Sequence, residues 1–565
     1  MLIYRVEGTF MQYKWTVLTN TTLGGLMSSI NMTIVLISLP AIFRGLAINP
    51  FAPDEFVYLL WILMGYSIVT STLLVTLGRI SDMKGRTKLY TMGFVIFTIG
   101  SILLSLIPDG TGNAGALVLI VFRLVQAVGG ALLMVNSTAL ITDAFGTKER
   151  GRALGINSVS FMAGSLIGLI AGGLLANFDW HYIFVVSIPF AVAGTVWSIV
   201  KLKETSRLVK ATIDYIGNIT LGVGLILIAL GLTYSIVPYG TEPTGWGSPF
   251  VLGSIIIGLA LIGLFIYSER RAKSPIFELR LFKIRPFAFG NVSGLLSSLS
   301  RGAVMFLVVI WLQGIYLPLH GIPIANTPFW AGIYMIPLML GFVVLGPISG
   351  WLTDKFGARI FATTGMVIIG ISLLMLANLP YNFNLVEFEL ILFLNGIGGG
   401  MFASPNTTAI MNATPADDRG SANGMRTTLN NLGQTLSMAI FFTITISIFS
   451  VVLPGSLLHE GVSAGLNNAV ATQLSRLSPT GLLFSAFLGI DPIHAFLTSL
   501  PPSLSSTISA AALKNVSANS FLPYSIAPSF MEGLSIALYI SAILVFVGAV
   551  LSAFRGKKYI REDAE

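Results

Sequence analysis

Apolar residues run along the whole chain in unbroken stretches of about 20, the length at which a helix crosses a bilayer. Examples run from Leu23 to Phe43, from Phe56 to Leu77, from Phe250 to Tyr267 and from Leu534 to Leu551. The stretches are continuous and do not alternate every second residue, so they predict helices and not barrel strands. About fourteen such spans fit the chain. The pattern therefore reads as an all-α membrane protein. Only 10% of the 565 residues are charged, against about a quarter in a soluble protein, which excludes a soluble core. Arg5 and Lys14 precede the first apolar run, but that run is long and lacks a small-residue cleavage site. It reads as a retained span rather than a removable signal.

The polar connections alternate in charge. Lys and Arg gather in Arg79, Lys84, Arg86 and Lys88, in Lys148, Arg150 and Arg152, and in Lys201, Lys203, Arg207 and Lys210. They gather again between Arg270 and Arg285, at Lys355 and Arg359, at Arg419, and in the tail with Arg555, Lys557 and Lys558. The connections between these are poor in both. Basic loops stay in the cytoplasm, so the alternation predicts an even number of spans with both termini cytoplasmic. It also accounts for the net charge of +8 without a nucleic-acid partner. The connection over residues 453–529 is long and holds seven prolines, from Pro454 to Pro528. By the loop count it lies outside the cell. It reads either as short proline-broken helices on the outer surface or as an inert linker.

The chain repeats itself. Glu149-Arg150-Gly151 parallels Asp418-Arg419-Gly420 at an offset of 269 (419 − 150). Gly164 falls on Gly433, and Gly129-Gly130 falls on Gly398-Gly399, at the same offset. Asn136 matches Asn406 one residue later. Gly78, Asp82, Gly85 and Arg86 parallel Gly350, Asp354, Gly357 and Arg359. Transporters are often built from such repeats, with the binding site between them. The expected units are an N-terminal six-helix bundle (1–212), two inserted transmembrane helices (213–268) and a C-terminal six-helix bundle (269–565) that carries the 453–529 loop.

These motifs resemble the major facilitator superfamily, in its fourteen-span drug:proton antiporter branch. Gly78 to Arg86 resembles the loop signature between the second and third spans. Arg123 to Ala131 resembles the fourth-span motif, and Gly164, Gly168, Gly172 and Gly173 the fifth-span antiporter motif. The resemblance implies a monomeric secondary transporter in the plasma membrane, exporting small lipophilic compounds by alternating access, with protons as the coupling ion. The departures concern that coupling. Asn31-Met32-Thr33 stands where the branch has an acidic residue, and Leu169 stands where the motif has Pro. An Asn side chain carries no proton at accessible pH.

The candidate residues fall into three groups. Asn31, Thr33, Arg123, Gln126, Asn136, Arg301, Asn406, Asn430 and Gln434 are polar positions within spans, and form the candidate substrate or proton pathway. Gly78, Asp82, Gly85, Arg86, Glu149, Arg150, Asp354, Arg359, Asp418 and Arg419 sit at the basic ends of spans and are candidate gating residues. Gly164, Gly168 and Gly172 repeat every fourth residue and form a smooth face for close helix packing. Several Arg residues lie within spans without a clear mid-span Asp or Glu, which favours neutral or anionic amphiphiles over organic cations. Two other readings stay open: a transporter of anionic metabolites or lipids without proton coupling, and a non-transporting receptor on a transporter fold. The chain has no Cys and four His and no Gly-Lys-Ser/Thr phosphate loop. No enzyme activity, metal site or cofactor is expected.

Overall fold

The computed structural model describes residues 2–48, 56–204, 214–235, 237–240, 242, 244–272, 275, 277–415, 419–488 and 492–556. Among them, thirteen helices are long and apolar enough to cross a membrane. A fourteenth span is bent by 49° between Leu74 and Thr76.

The first six spans are α1 (Leu2–Leu46), α2 (Phe56–Lys84, the bent one), α3 (Arg86–Ser105), α4 (Gly112–Ala144), α5 (Thr147–Leu175) and α6 (Ser187–Lys201). A hairpin follows, α7 (Tyr215–Tyr234) and α8 (Pro249–Glu269). Then come α9 (Arg285–Trp311), the short α10 (Thr327–Tyr334) leading into α11 (Ile336–Phe356), α12 (Ala358–Ala377), α13 (Leu385–Ala413) and α14 (Arg419–Ser463). A short α15 (Pro479–Leu488) precedes the last span, α16 (Phe521–Ala553). The helix ends that carry the Lys- and Arg-rich loops define a basic side. The opposite ends define the far side.

Local chemistry places the helix starts. Asp214 accepts a hydrogen bond from the amide of Gly217 at the start of α7, and Asn384 caps α13 through the amide of Val386. The tight turns between α2 and α3 and between α11 and α12 need positive φ. Gly85 (φ 107°) and Gly357 (φ 83°) supply it at matched positions of the repeat. Glu204 then holds the first amides of α3, accepting from Thr87 N at 2.9 Å, as favoured at a helix N-terminus.

Helices α1 to α6 pack on one another, and so do α9, α11 to α14 and α16. The α7–α8 pair leans on α2 and α14 through α7. The tightest seams are backbone on backbone. A Cβ on Gly164 or Gly168 would lie 2.5 Å from Leu26 O or 2.7 Å from Ile30 O, and one on Gly172 would lie 2.8 Å from Ile34 O. Positions 26, 30 and 34 of α1 thus meet the every-fourth glycine stripe of α5. The second half repeats the contact at the offset of 269. A Cβ on Gly433 would lie 2.8 Å from Leu295 O. The α3–α4 and α12–α13 seams repeat likewise, with Gly129 on Gly93 and Gly398 on Gly365.

The connection after α14 departs from the sequence expectation. Helix α14 continues through Pro454 to Ser463, and α16 already contains Pro528. The true connection is 464–520, and it does contain short helices. One of them, α15, is not on the surface: Thr480 to Leu488 are all buried. Its Leu482, Leu483, Phe484, Phe487 and Leu488 leave no polar face to turn outward, so burial is its stable state. It wedges between α1, α14 and the π-helical turn Leu312–Tyr316 that continues α9. Phe484 packs edge-on to Phe442 of α14, with ring centroids 5.5 Å apart.

The two helix sets meet on the far side. There one apolar core joins Ile34 to Leu46 of α1, Ile62 to Ile68 of α2, Phe306 to Leu317, and Phe484 to Leu488 of α15. Leu169 O lies against Gly332 of α10, and Gly173 lies against the Phe329 backbone. Midway along the spans, the Ser71 and Thr435 hydroxyls meet at 3.3 Å between α2 and α14. Toward the basic side the apolar residues separate instead. Tyr90, Phe94, Phe97 and Leu133 form one cluster in the first set, and Phe287, Ile410 and Met425 belong to another in the second. The molecule is closed at the far side.

That closure is testable. A side chain at position 173 would lie 2.5 Å from Phe329 N, so Gly173→Val forces α5 and α10 apart. In the Cys-free background, a single Phe487→Cys reporter in detergent is expected to react with a maleimide several-fold faster once Gly173→Val is added. An unchanged rate means that this contact does not hold the far side shut.

Candidate functional site

The centre of the candidate pathway is an arginine. Arg123 lies on α4 with 2% of its surface exposed. Its Nη1 donates to Asn31 Oδ1 of α1 and, at 2.9 Å, to Gln126 Oε1 one turn along α4. Its guanidinium lies 4.6 Å from the Tyr66 ring centre on α2. Gln126 passes the chain on, donating to Ser101 Oγ of α3 at 2.8 Å. Four helices therefore converge on one cation. A charge-assisted hydrogen bond contributes roughly 1.5–3 kcal/mol and a cation–π contact up to about 2 kcal/mol. All of these partners are neutral. Among the described residues no carboxylate pairs with Arg123, and its Nε has no partner.

The second helix set carries a partial echo. Asn395, at the offset of 269 from Gln126, donates to Ser372 Oγ at 2.8 Å, as Gln126 does to Ser101. At the position matching Arg123 stands Leu392. The cation of this set is elsewhere: Arg301, on α9, is partly buried. Asn430 and Gln434 of α14 sit on the neighbouring face, with Asn430 Oδ1 against Gly294 of α9 and the Gln434 carbonyl against Gly302. The structure thus unites Asn31, Arg123 and Gln126, and places Arg301, Asn430 and Gln434 along the α9–α14 seam.

The other pathway candidates are held in packing contacts. Thr33 donates to Ser165 O at 3.0 Å and lies within the α1–α5 seam. Asn136 donates to Leu132 O of its own helix at 2.9 Å. Asn406 donates to Gly290 O at 3.0 Å and accepts from Arg555 Nη2 at 2.8 Å. Arg555, a tail residue by sequence, is buried at the basic end of the second set.

Among the gating candidates, Arg86 meets Asp82. Its Nε donates to Asp82 at 2.8 Å, within the signature loop beside Gly78 and Gly85, and its Nη1 donates to Asp143 at 2.6 Å. One guanidinium thus ties α2, α3 and α4 together at the basic side. Asp143 was missed by the sequence reading. The available signal was an acid placed one turn before the basic loop at Lys148. Glu149 pairs with Lys14 of α1, at 2.6 Å. Arg359 is exposed. Asp418 and the side chains of Arg150, Asp354 and Arg419 lie outside the described residues. Tyr66 and Ser101 were also missed as site residues. Gly130, which leaves room for the Tyr66 hydroxyl, was visible only as a motif glycine.

The comparisons point one way. The model of the Major Facilitator Superfamily matches residues 21–438 and 338–559. The riboflavin transporter RibZ of Clostridioides difficile is 30% identical over 76% of this chain and 88% of its own length. Multidrug resistance protein 3 of Bacillus subtilis is 28% identical over 76% of this chain and 79% of its own. A bacterial homologue of the human lysosomal transporter Spinster superimposes with a TM-score of 0.56 at 13% identity. It covers 95% of this chain and 97% of its own, and it shares the fold.

The Arg86 node yields a double-mutant test. Arg86→Ala leaves Asp82 and Asp143 without their counter-charge. All three side chains keep 21–32% exposure, so solvent screening limits the expected cost to about 1–2 kcal/mol. Unfolding in detergent is expected at lower temperature for Arg86→Ala and for Asp143→Asn. The double variant is expected to lose less than the sum of the two. Additive losses would mean that the pair is not coupled.

Proposed function

The chain belongs to the Major Facilitator Superfamily, and from that premise we propose that it exports small lipophilic compounds from the cell by alternating access. The observation that carries the reading is the asymmetric closure. The apolar core is continuous between the helix sets on the far side and divided toward the basic side. With the basic loops in the cytoplasm, the far side faces outward, and this is the loading state of an exporter. The units that rock against each other are 1–212 and 269–565, with 213–268 as the inserted pair. The membrane is the plasma membrane, and one chain suffices. Multidrug relatives such as multidrug resistance protein 3 support a lipophilic cargo, and the riboflavin transporter RibZ supports an aromatic one.

The glycine seams suit this motion. Smooth helix faces slide without side chains to disengage. The Arg86–Asp82–Asp143 node keeps α2, α3 and α4 moving as one body. Coupling to protons would need a titratable group near the site. Asn31 stands at the position where the antiporter branch has an acid, and its amide holds Arg123. Transport in this reading does not draw on a proton at that position.

Efflux from inverted membrane vesicles or proteoliposomes tests the reading. The purified protein is expected to move a lipophilic fluorescent dye down its concentration gradient, with no more than a small change when a pH gradient is imposed. Arg123→Ala is expected to cut the initial rate at least tenfold by opening the four-helix junction. A rate that follows the pH gradient would show that a proton site exists elsewhere. No dye movement with well-folded protein would remove the exporter reading.

A further inference from the structure

Resting on the transporter reading, we propose that the central site selects organic anions, compounds with a carboxylate, phosphate or sulfonate on an apolar body, and that Arg123 supplies the charge that binds them. A cation taken out of water needs a counter-charge, or the protein carries the desolvation penalty. Arg123 is almost wholly buried, yet it meets only the amides of Asn31 and Gln126 and the ring of Tyr66. Its Nε has no partner among the described residues. Amide oxygens and a ring orient the guanidinium without neutralising it. What the protein leaves out is one negative charge, and Asn31 stands where a carboxylate would have provided it.

The wider interior has the same sign. Arg301 on α9 forms no hydrogen bond or ion pair among the described residues, and Arg426 bonds only to Asn423 and Thr407. Asp143, the acid nearest the interior on α4, is taken by Arg86 at the basic end. Glu269 accepts from the Phe277 amide at the end of α8. The buried charges within the spans are therefore positive, and low-dielectric surroundings strengthen their field. An anionic amphiphile gains from that field. An organic cation of the same shape meets repulsion. Asn31 is a specificity-determining residue in this account: it positions Arg123 and leaves its charge uncompensated.

The test uses two dyes on one xanthene skeleton, fluorescein (anionic) and rhodamine 6G (cationic). Binding to the purified full chain is read by fluorescence anisotropy. Fluorescein is expected to bind at least tenfold more tightly than rhodamine 6G. Asn31→Asp installs the missing carboxylate beside Arg123. It is expected to lower fluorescein affinity at least tenfold while leaving the unfolding temperature equal or higher. Arg123→Met is expected to lose the preference, and Arg123→Lys to retain part of it. Equal or tighter binding of rhodamine 6G, or fluorescein affinity unmoved by both Asn31→Asp and Arg123→Met, overturns the proposal. Tight anion binding without dye transport would leave this site standing and remove the exporter reading, so the two fail separately.

Discussion

Close contact between helix backbones is the constraint on which the rest of this structure depends. In lipid the hydrophobic effect does not draw helices together, because the tails are as apolar as the side chains. Cohesion must come from packing. Here it comes from glycines that let one helix rest on the carbonyls of another: Gly164, Gly168 and Gly172 on Leu26, Ile30 and Ile34, and Gly433 on Leu295. These seams fix where the remaining helix faces point. Asn31 lies on the same helix as that carbonyl ladder, and so the seam also decides that Asn31 reaches Arg123.

The polar interior follows from this frame. Once α1 to α4 are held together, Arg123 meets Asn31, Tyr66 and Gln126. The site is rigid in its partners and open in its charge. The Arg86 node resolves the same problem in the other way, with two carboxylates near the basic surface. One arginine is neutralised and ties helices together. The other is left positive, buried where α1, α2 and α4 converge.

The far side adds an element of its own. Helix α15 descends from the long connection and fills the space between α1, α9 and α14. Ring packing holds it there, Phe484 against Phe442. Opening the far side requires this wedge to leave at least one of its neighbours. The closed state is thus stabilised by chain that lies outside the spans.

Continuous apolar runs and charge-alternating loops, read one after another, determined the helical class, the spans, the repeat and the glycine stripes, because these are local or periodic properties of the chain. The buried position of Arg123 was visible in the same way, since a cation inside a span has nowhere else to go. Its partners were not, because Asn31, Tyr66 and Ser101 come from three other helices. Asp143 as the partner of Arg86, Lys14 as the partner of Glu149, and Arg555 under Asn406 are likewise long-range pairings. Thr33 looked like a pathway residue, and only packing shows that it faces a seam. The sequence leaves the wedge α15, within the 453–529 connection, as part of either proline-broken surface helices or an inert linker. Tertiary structure alone decided that it lies between the two sets of helices, and that the molecule is closed on one side: both depend on which faces meet, and no local pattern records that.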